Sequence, residues 1–221
     1  MGKISHYNNL LLLAVALAVS LMLSLTSGVC ADDLIGSQTF APETIIISVE
    51  GGMGRFNDRL PGSGLQVWDL AARFSLLPFA PFELPAFAEA LDGALEVGVE
   101  PIFERFSTQQ QNFGGAGLAL RYYLMHFRYG RFVPWMNVMA APGGTDLRVA
   151  PPALEGPFMF VIHAGLGVSY FIKDRLAVYV GYQAQHVSNA GTYGADLGLD
   201  SYAGAVFGVT YFMPSAAANL W

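Results

Sequence analysis

The chain has 221 residues, of which 53% are hydrophobic and 13% are charged, and its formal net charge at pH 7 is −6. This length is enough for one domain. The acidic balance and the scarcity of lysine exclude a basic nucleic-acid-binding surface, so no nucleic-acid partner is expected.

The first 31 residues have the pattern of a secretory signal peptide. An apolar run from Leu10 to Leu25 precedes the small-residue cleavage site Val29-Cys30-Ala31, which two aspartates follow. An uncleaved anchor and a lipoprotein attached through Cys30 are the alternatives, although valine is unfavourable just before a lipidated cysteine. Cleavage after the site leaves a mature domain, residues 32–221, without cysteine and therefore without a disulfide.

The mature domain has the strand pattern of an all-β protein. It has no uninterrupted apolar stretch near the ~20 residues that a transmembrane helix needs. Turn-rich segments divide it instead into eight runs rich in β-branched and aromatic residues. These runs predict strands at about 44–50, 64–77, 93–105, 113–127, 132–140, 158–172, 175–188 and 200–212.

Apolar and polar residues alternate along the longer runs. In the third run, Leu95, Val97 and Val99 share one face, and glutamates occupy the other. A soluble sandwich or lipocalin-like barrel also alternates, but its polar face is usually dense with mixed charge. Here the polar face is sparse and the apolar face is continuous, which predicts an eight-stranded antiparallel up-and-down transmembrane β-barrel with a polar interior filled by side chains. An interior network is expected from Glu50, Asp69, Arg73, Glu96, Glu100, Glu104 and Arg121, with His163 bonded to a glutamate.

The connections between the runs indicate which end of the barrel faces outward. The short segments 128–131 and 173–174 suit periplasmic turns. The longer segment 79–92 also falls on the periplasmic side and is expected to contain a short interfacial helix, Ala86 to Leu91. The outward loops are then predicted at 51–63, 106–112, 141–157 and 189–199.

The seventh run brings candidate catalytic residues to the apolar, lipid-facing side near the outer rim. His186 and Ser188 lie two residues apart, so they share a face. Pairing the last two strands around a loop centred near Tyr193 places Asp200 opposite His186. Ser, His and Asp within reach of one another can form an activated hydroxyl nucleophile. In the alternative interpretation the strand simply ends at His186 and these are ordinary rim residues. No metal site or other cofactor is expected, because no cysteine remains and no His–carboxylate pair has ligand spacing.

The segment His186-Val187-Ser188-Asn189-Ala190-Gly191, followed by Gly198-Leu199-Asp200-Ser201-Tyr202, resembles the signature of the outer-membrane lipid A 3-O-deacylases. The resemblance extends upstream to segments 100–104, 121–124 and 165–171, and so covers most of the mature domain. It implies an eight-stranded barrel in the outer membrane of a Gram-negative bacterium. It also implies a triad that hydrolyses an acyl ester of lipid A, the lipid anchor of lipopolysaccharide.

Carried over by position, the resemblance makes Ser188 the nucleophile, His186 the general base and Asp200 the residue that orients the imidazole, with Asn189 as a candidate oxyanion donor. The family acid is typically glutamate, so Asp200 is a departure, although aspartate serves this role in many serine hydrolases. The expected partners are lipopolysaccharide and other outer-membrane lipids, met at the outer leaflet. A homodimer is left open by the sequence. The alternative function is a non-catalytic structural or adhesion barrel.

Overall fold

The computed structural model describes residues 35, 38–56, 64–82, 86–107, 110–149, 154, 156–193, 196 and 198–214. Within them, eight antiparallel strands close into a barrel, in which each strand pairs with its neighbours in sequence and the last pairs with the first. The predicted signal peptide lies outside the described residues. The strands are β1 (Ile45–Phe56), β2 (Gln66–Leu76), β3 (Gly93–Phe106), β4 (Gln111–Leu124), β5 (Phe132–Thr145), β6 (Phe158–Lys173), β7 (Leu176–Ser188) and β8 (Leu199–Met213).

The two ends of the barrel differ in their connections. At the short-turn end, residues 174–175 join β6 to β7. At the long-loop end, residues 189–198 join β7 to β8. Two 3-10 helices, Ala86–Leu91 and Met125–Phe127, lie in the β2–β3 and β4–β5 connections, and the first confirms the short helix predicted there. Within the described part of the chain, no helix has both the length and the apolar character needed to span a membrane.

The outer wall of the barrel is largely apolar, and the charged side chains in the middle of the strands point inward. Leu118 and Leu166, for example, are 68% and 62% exposed on the outer face. Arg73 and Arg121 are fully buried inside. Exposed charges such as Arg105 and Asp200 lie near the strand ends. This is the orientation expected when lipid surrounds the barrel, and it confirms the predicted fold class.

The interior is built in three layers along the barrel axis. An apolar cluster that includes Phe106 and Val187 fills the long-loop end, and a second that includes Phe171 and Phe212 fills the short-turn end. The predicted polar network lies between them: Arg73 forms ion pairs with three glutamates, Arg121 pairs with one of these, and His163 contacts a fourth at 3.0 Å. The glutamates are Glu50, Glu96, Glu100 and Glu104.

The predicted starting residues of two outward loops are wrong, because the strands before them are longer than expected. β1 continues to Phe56 and β5 to Thr145, although 51–63 and 141–157 were predicted as loops. Both strand ends are rich in glycine, which is typical of turns. Here the glycines make room for large inward neighbours: a side chain at Gly52 would collide with the Asp69 carboxylate, and one at Gly143 with the ring of Phe113.

Candidate active site

His186 and Ser188 lie at the long-loop end of β7, on the outer face of the barrel wall. Along β7, outward residues such as Val178 and Val180 are exposed, whereas Gln183 and Gln185 are buried in the interior. The same alternation continues to the strand end, where His186 and Ser188 are partly exposed. The orientation predicted for this pair is therefore confirmed.

Asp200 lies directly across from His186 at the beginning of β8, in the predicted register. A β-bulge in β8 produces this arrangement. Gln183 pairs with Gly204, but Gln185 pairs with Ser201, so β8 has one extra residue between these two points. Bulges of this kind change which face the following side chains occupy. The sequence interpretation did not include the bulge.

The His186 ring is bonded to the carboxylate of Asp200, with 2.8 Å between Nδ1 and Oδ1. The two side chains are 41% and 47% exposed on the outer wall. An ionised carboxylate can only accept a hydrogen bond, so in the neutral form of the ring the proton lies on Nδ1 and Nε2 is the acceptor. This tautomer is the one a general base needs to take a proton from a hydroxyl.

Gly198 packs against the His186 ring at Cε1. Its φ is +64°, a conformation that favours glycine, and a Cβ atom there would lie 2.7 Å from Cε1 of the ring. The imidazole therefore contacts the Asp200 carboxylate at Nδ1 and lies against the backbone of Gly198 at Cε1. This glycine was part of the resemblance, but its contact with the ring was not predicted.

The turn after Ser188 is fixed by Asn189. Its side chain is fully buried, donates to the carbonyl oxygen of Tyr193 at 2.9 Å and accepts from the N–H of Gly191 at 2.8 Å. These bonds hold the backbone that follows the serine, and the oxyanion role of Asn189 stays a prediction. Among the described residues, no hydrogen bond joins the Ser188 hydroxyl to His186; such catalytic bonds are often long until substrate binds.

Asp196 ties together the two ends of the β7–β8 loop, and the sequence interpretation missed it. Its carboxylate accepts from the N–H of Gly191 at 3.1 Å and from that of Gly198 at 3.2 Å. The backbone at Leu154, in the β5–β6 loop, bridges to Asp196. An aspartate two residues before a glycine is a common turn signal and was the available clue.

The two other histidines in the described part of the chain make structural contacts away from Ser188. His163 and Gln185 both bond Glu104 in the interior, and His126 lies at the short-turn end, 3.8 Å from Glu89. Across the described ranges, no group of three or more His, Cys, Asp or Glu side chains could hold a metal ion.

The family model for lipid A 3-O-deacylase (PagL) matches residues 86–207, more than half of the chain and all of the site. The chain belongs to the lipid A 3-O-deacylase family. This family consists of outer-membrane acyl hydrolases, so the protein is located in the outer membrane of a Gram-negative bacterium.

The fold is also similar to solved outer-membrane barrels. The crystal structure of the outer membrane enzyme PagL has a TM-score of 0.52 and 15% sequence identity, with 76% of this chain and 99% of that one covered. Neisserial surface protein A has a TM-score of 0.46 and 11% identity, with coverages of 76% and 96%. No curated protein sequence matches the chain. At these identities, the likeness to the PagL structure supports the eight-stranded fold of the deacylase family and no more.

Proposed function

We propose that this protein is a serine esterase that removes the 3-O-linked acyl chain of lipid A within the outer leaflet of the outer membrane. The observation that carries the proposal is the 2.8 Å contact between His186 and Asp200 on the lipid-facing wall, two residues from Ser188. Ionisable side chains that face lipid are costly and are by default functional candidates. The deacylase family supplies the substrate class.

The proposed reaction begins with proton transfer from the Ser188 hydroxyl to Nε2 of His186. The serine oxygen attacks the ester carbonyl at position 3, and backbone N–H groups of the turn that buried Asn189 holds in place stabilise the oxyanion. The bond between the carbonyl carbon and the sugar oxygen then breaks, and the departing sugar oxygen takes the proton from His186. Water, activated by the same histidine, hydrolyses the acyl-enzyme and releases a 3-hydroxy fatty acid.

Two geometric features support this sequence of steps. Ser188 and His186 are two residues apart on one extended strand, so their Cα atoms are about 6.6 Å apart, a distance that an imidazole and a hydroxyl can bridge. Asp200 stabilises the imidazolium that forms at His186. The location on the outer wall suits a substrate that stays in the membrane.

The sharpest test is Ser188→Ala in purified protein reconstituted with lipid A, with fatty-acid release followed by mass spectrometry. Ser107→Ala, which removes an exposed hydroxyl at the same end of the barrel, is the matched control. We expect no 3-hydroxy fatty acid from Ser188→Ala and full release from the control, with both variants still showing heat-modifiable migration. Release by Ser188→Ala at the wild-type rate would refute the serine mechanism.

A non-catalytic barrel is the competing function. It requires only the strands and loops, and it is indifferent to Ser188 and Asp200. Absence of any fatty-acid release by wild-type protein in this assay would favour it.

A further inference from the structure

The alternation of inward and outward side chains along β8 shifts by one residue at Tyr202 and Ala203. Toward the short-turn end, Phe207, Val209 and Tyr211 face outward; toward the long-loop end, Asp200 and Tyr202 do. Tyr202 and Ala203 are consecutive and both exposed. The pairing with β1 shifts by one residue at the same place as the pairing with β7, so the bulge interrupts both ladders.

The orientation of Asp200 depends on this extra residue. If the register at Leu176–Tyr211 continued without a shift, Ser201 would lie across from His186. Asp200 would then lie across from Val187 and point into the apolar cluster at the long-loop end, where Leu199 now packs. The bulge therefore brings the carboxylate to the outer wall.

Tyr182 holds the bulge from the lipid-facing side. It lies on the outer face of β7, and its hydroxyl donates to the backbone carbonyl of Tyr202. The extra residue of a bulge is left out of the ladder, and a backbone carbonyl that faces lipid without a partner is unfavourable. On the inner side, the Ser201 hydroxyl donates to the carbonyl of Arg55 at 2.8 Å.

We propose that Tyr182 is a positioning residue for the hydrolase: its hydroxyl fixes the β8 bulge in the form that directs Asp200 to Nδ1 of His186. This inference rests on the proposed function, because it assigns Tyr182 a part in the same reaction. Tyr182 does not act on the ester; it acts through Asp200. Loss of its hydroxyl lets the bulge relax and weakens the His186–Asp200 contact.

The kinetic test is Tyr182→Phe, with Tyr211→Phe as the matched control on an outward tyrosine at the other end of β8. We expect kcat to fall about tenfold in Tyr182→Phe, the factor that corresponds to one typical hydrogen bond. KM and the control should be unchanged. In an Asp200→Asn background, Tyr182→Phe should have no further effect, because its route to the reaction has been removed. Additive losses, or a change in KM alone, would overturn the proposal.

A second measurement does not depend on activity. In ¹⁵N-histidine-labelled barrel, the Nδ1 proton of His186 should give a downfield resonance in the wild type and in Tyr211→Phe, and should lose it in Tyr182→Phe. A resonance unchanged in Tyr182→Phe would overturn the positioning role. If wild-type protein releases no fatty acid, the proposed function fails, while this measurement still decides whether Tyr182 orders the His186–Asp200 pair.

Discussion

Gly198 lies against the His186 ring, and its replacement by alanine is expected to move the ring without touching any reacting atom. The new Cβ atom would lie 2.7 Å from Cε1, whereas ordinary contact begins at 3.4 Å. The ring must therefore shift by about 0.7 Å. A shift of this size misaligns the 2.8 Å contact between Nδ1 and Asp200, because hydrogen bonds weaken steeply when their distance and angle depart from the ideal.

The expected result for Gly198→Ala is a fall in kcat of roughly 10²-fold, the loss associated with a misplacement of about 1 Å in a catalytic group. The same substitution also strains the backbone, because φ is positive, at a cost of about 1 kcal/mol. Gly191→Ala separates the two effects. Gly191 has a φ of +70° and nothing within 4 Å of the position of its Cβ, so it carries the strain without the collision.

The assay is fatty-acid release from lipid A by reconstituted protein, with thermal unfolding measured in parallel. Gly191→Ala should lower the thermal stability by about as much as Gly198→Ala does, but should retain most of the enzymatic activity. Equal activity in the two variants would refute the conclusion that a collision at Gly198 displaces the His186 ring.

Two further predictions concern the triad acid and the interior network. Asp200→Asn should lower kcat by about 10²–10⁴-fold because an amide cannot stabilise the imidazolium, whereas Asp200→Glu should retain measurable release; equal activity of Asp200→Asn and wild type would exclude the orienting role. Arg73→Leu leaves buried Glu100 without its ion-pair partner and should destabilise the barrel by about 3–5 kcal/mol. Urea unfolding would measure this against exposed Lys173→Ala, and equal midpoints would contradict it.

Side-chain alternation was enough to predict most of the barrel and the part of the site that lies on β7. The outward face of His186 and Ser188 follows from the period of a strand, and the facing position of Asp200 follows from the length of the loop. The polar interior could also be predicted, because glutamates and arginines repeat with the same period.

Side-chain alternation did not predict the β8 bulge or the ends of β1 and β5. Phe207, Val209 and Tyr211 indicate one alternation for β8, and Asp200 with Tyr202 indicates the other; this conflict is the signature of an inserted residue. The ends of β1 and β5 were missed because their glycines leave space for inward side chains rather than making turns. Such space depends on neighbours from other strands, which a single strand's sequence does not contain.

The most direct test of the central claim is mass spectrometry of lipid A from cells that express the wild-type protein or Ser188→Ala. Lipid A from wild-type cells is predicted to lose the mass of one 3-hydroxyacyl chain, with the loss at position 3, and lipid A from Ser188→Ala cells is predicted to keep it. Identical spectra from the two cultures would contradict the assignment of Ser188 as the nucleophile of a lipid A 3-O-deacylase.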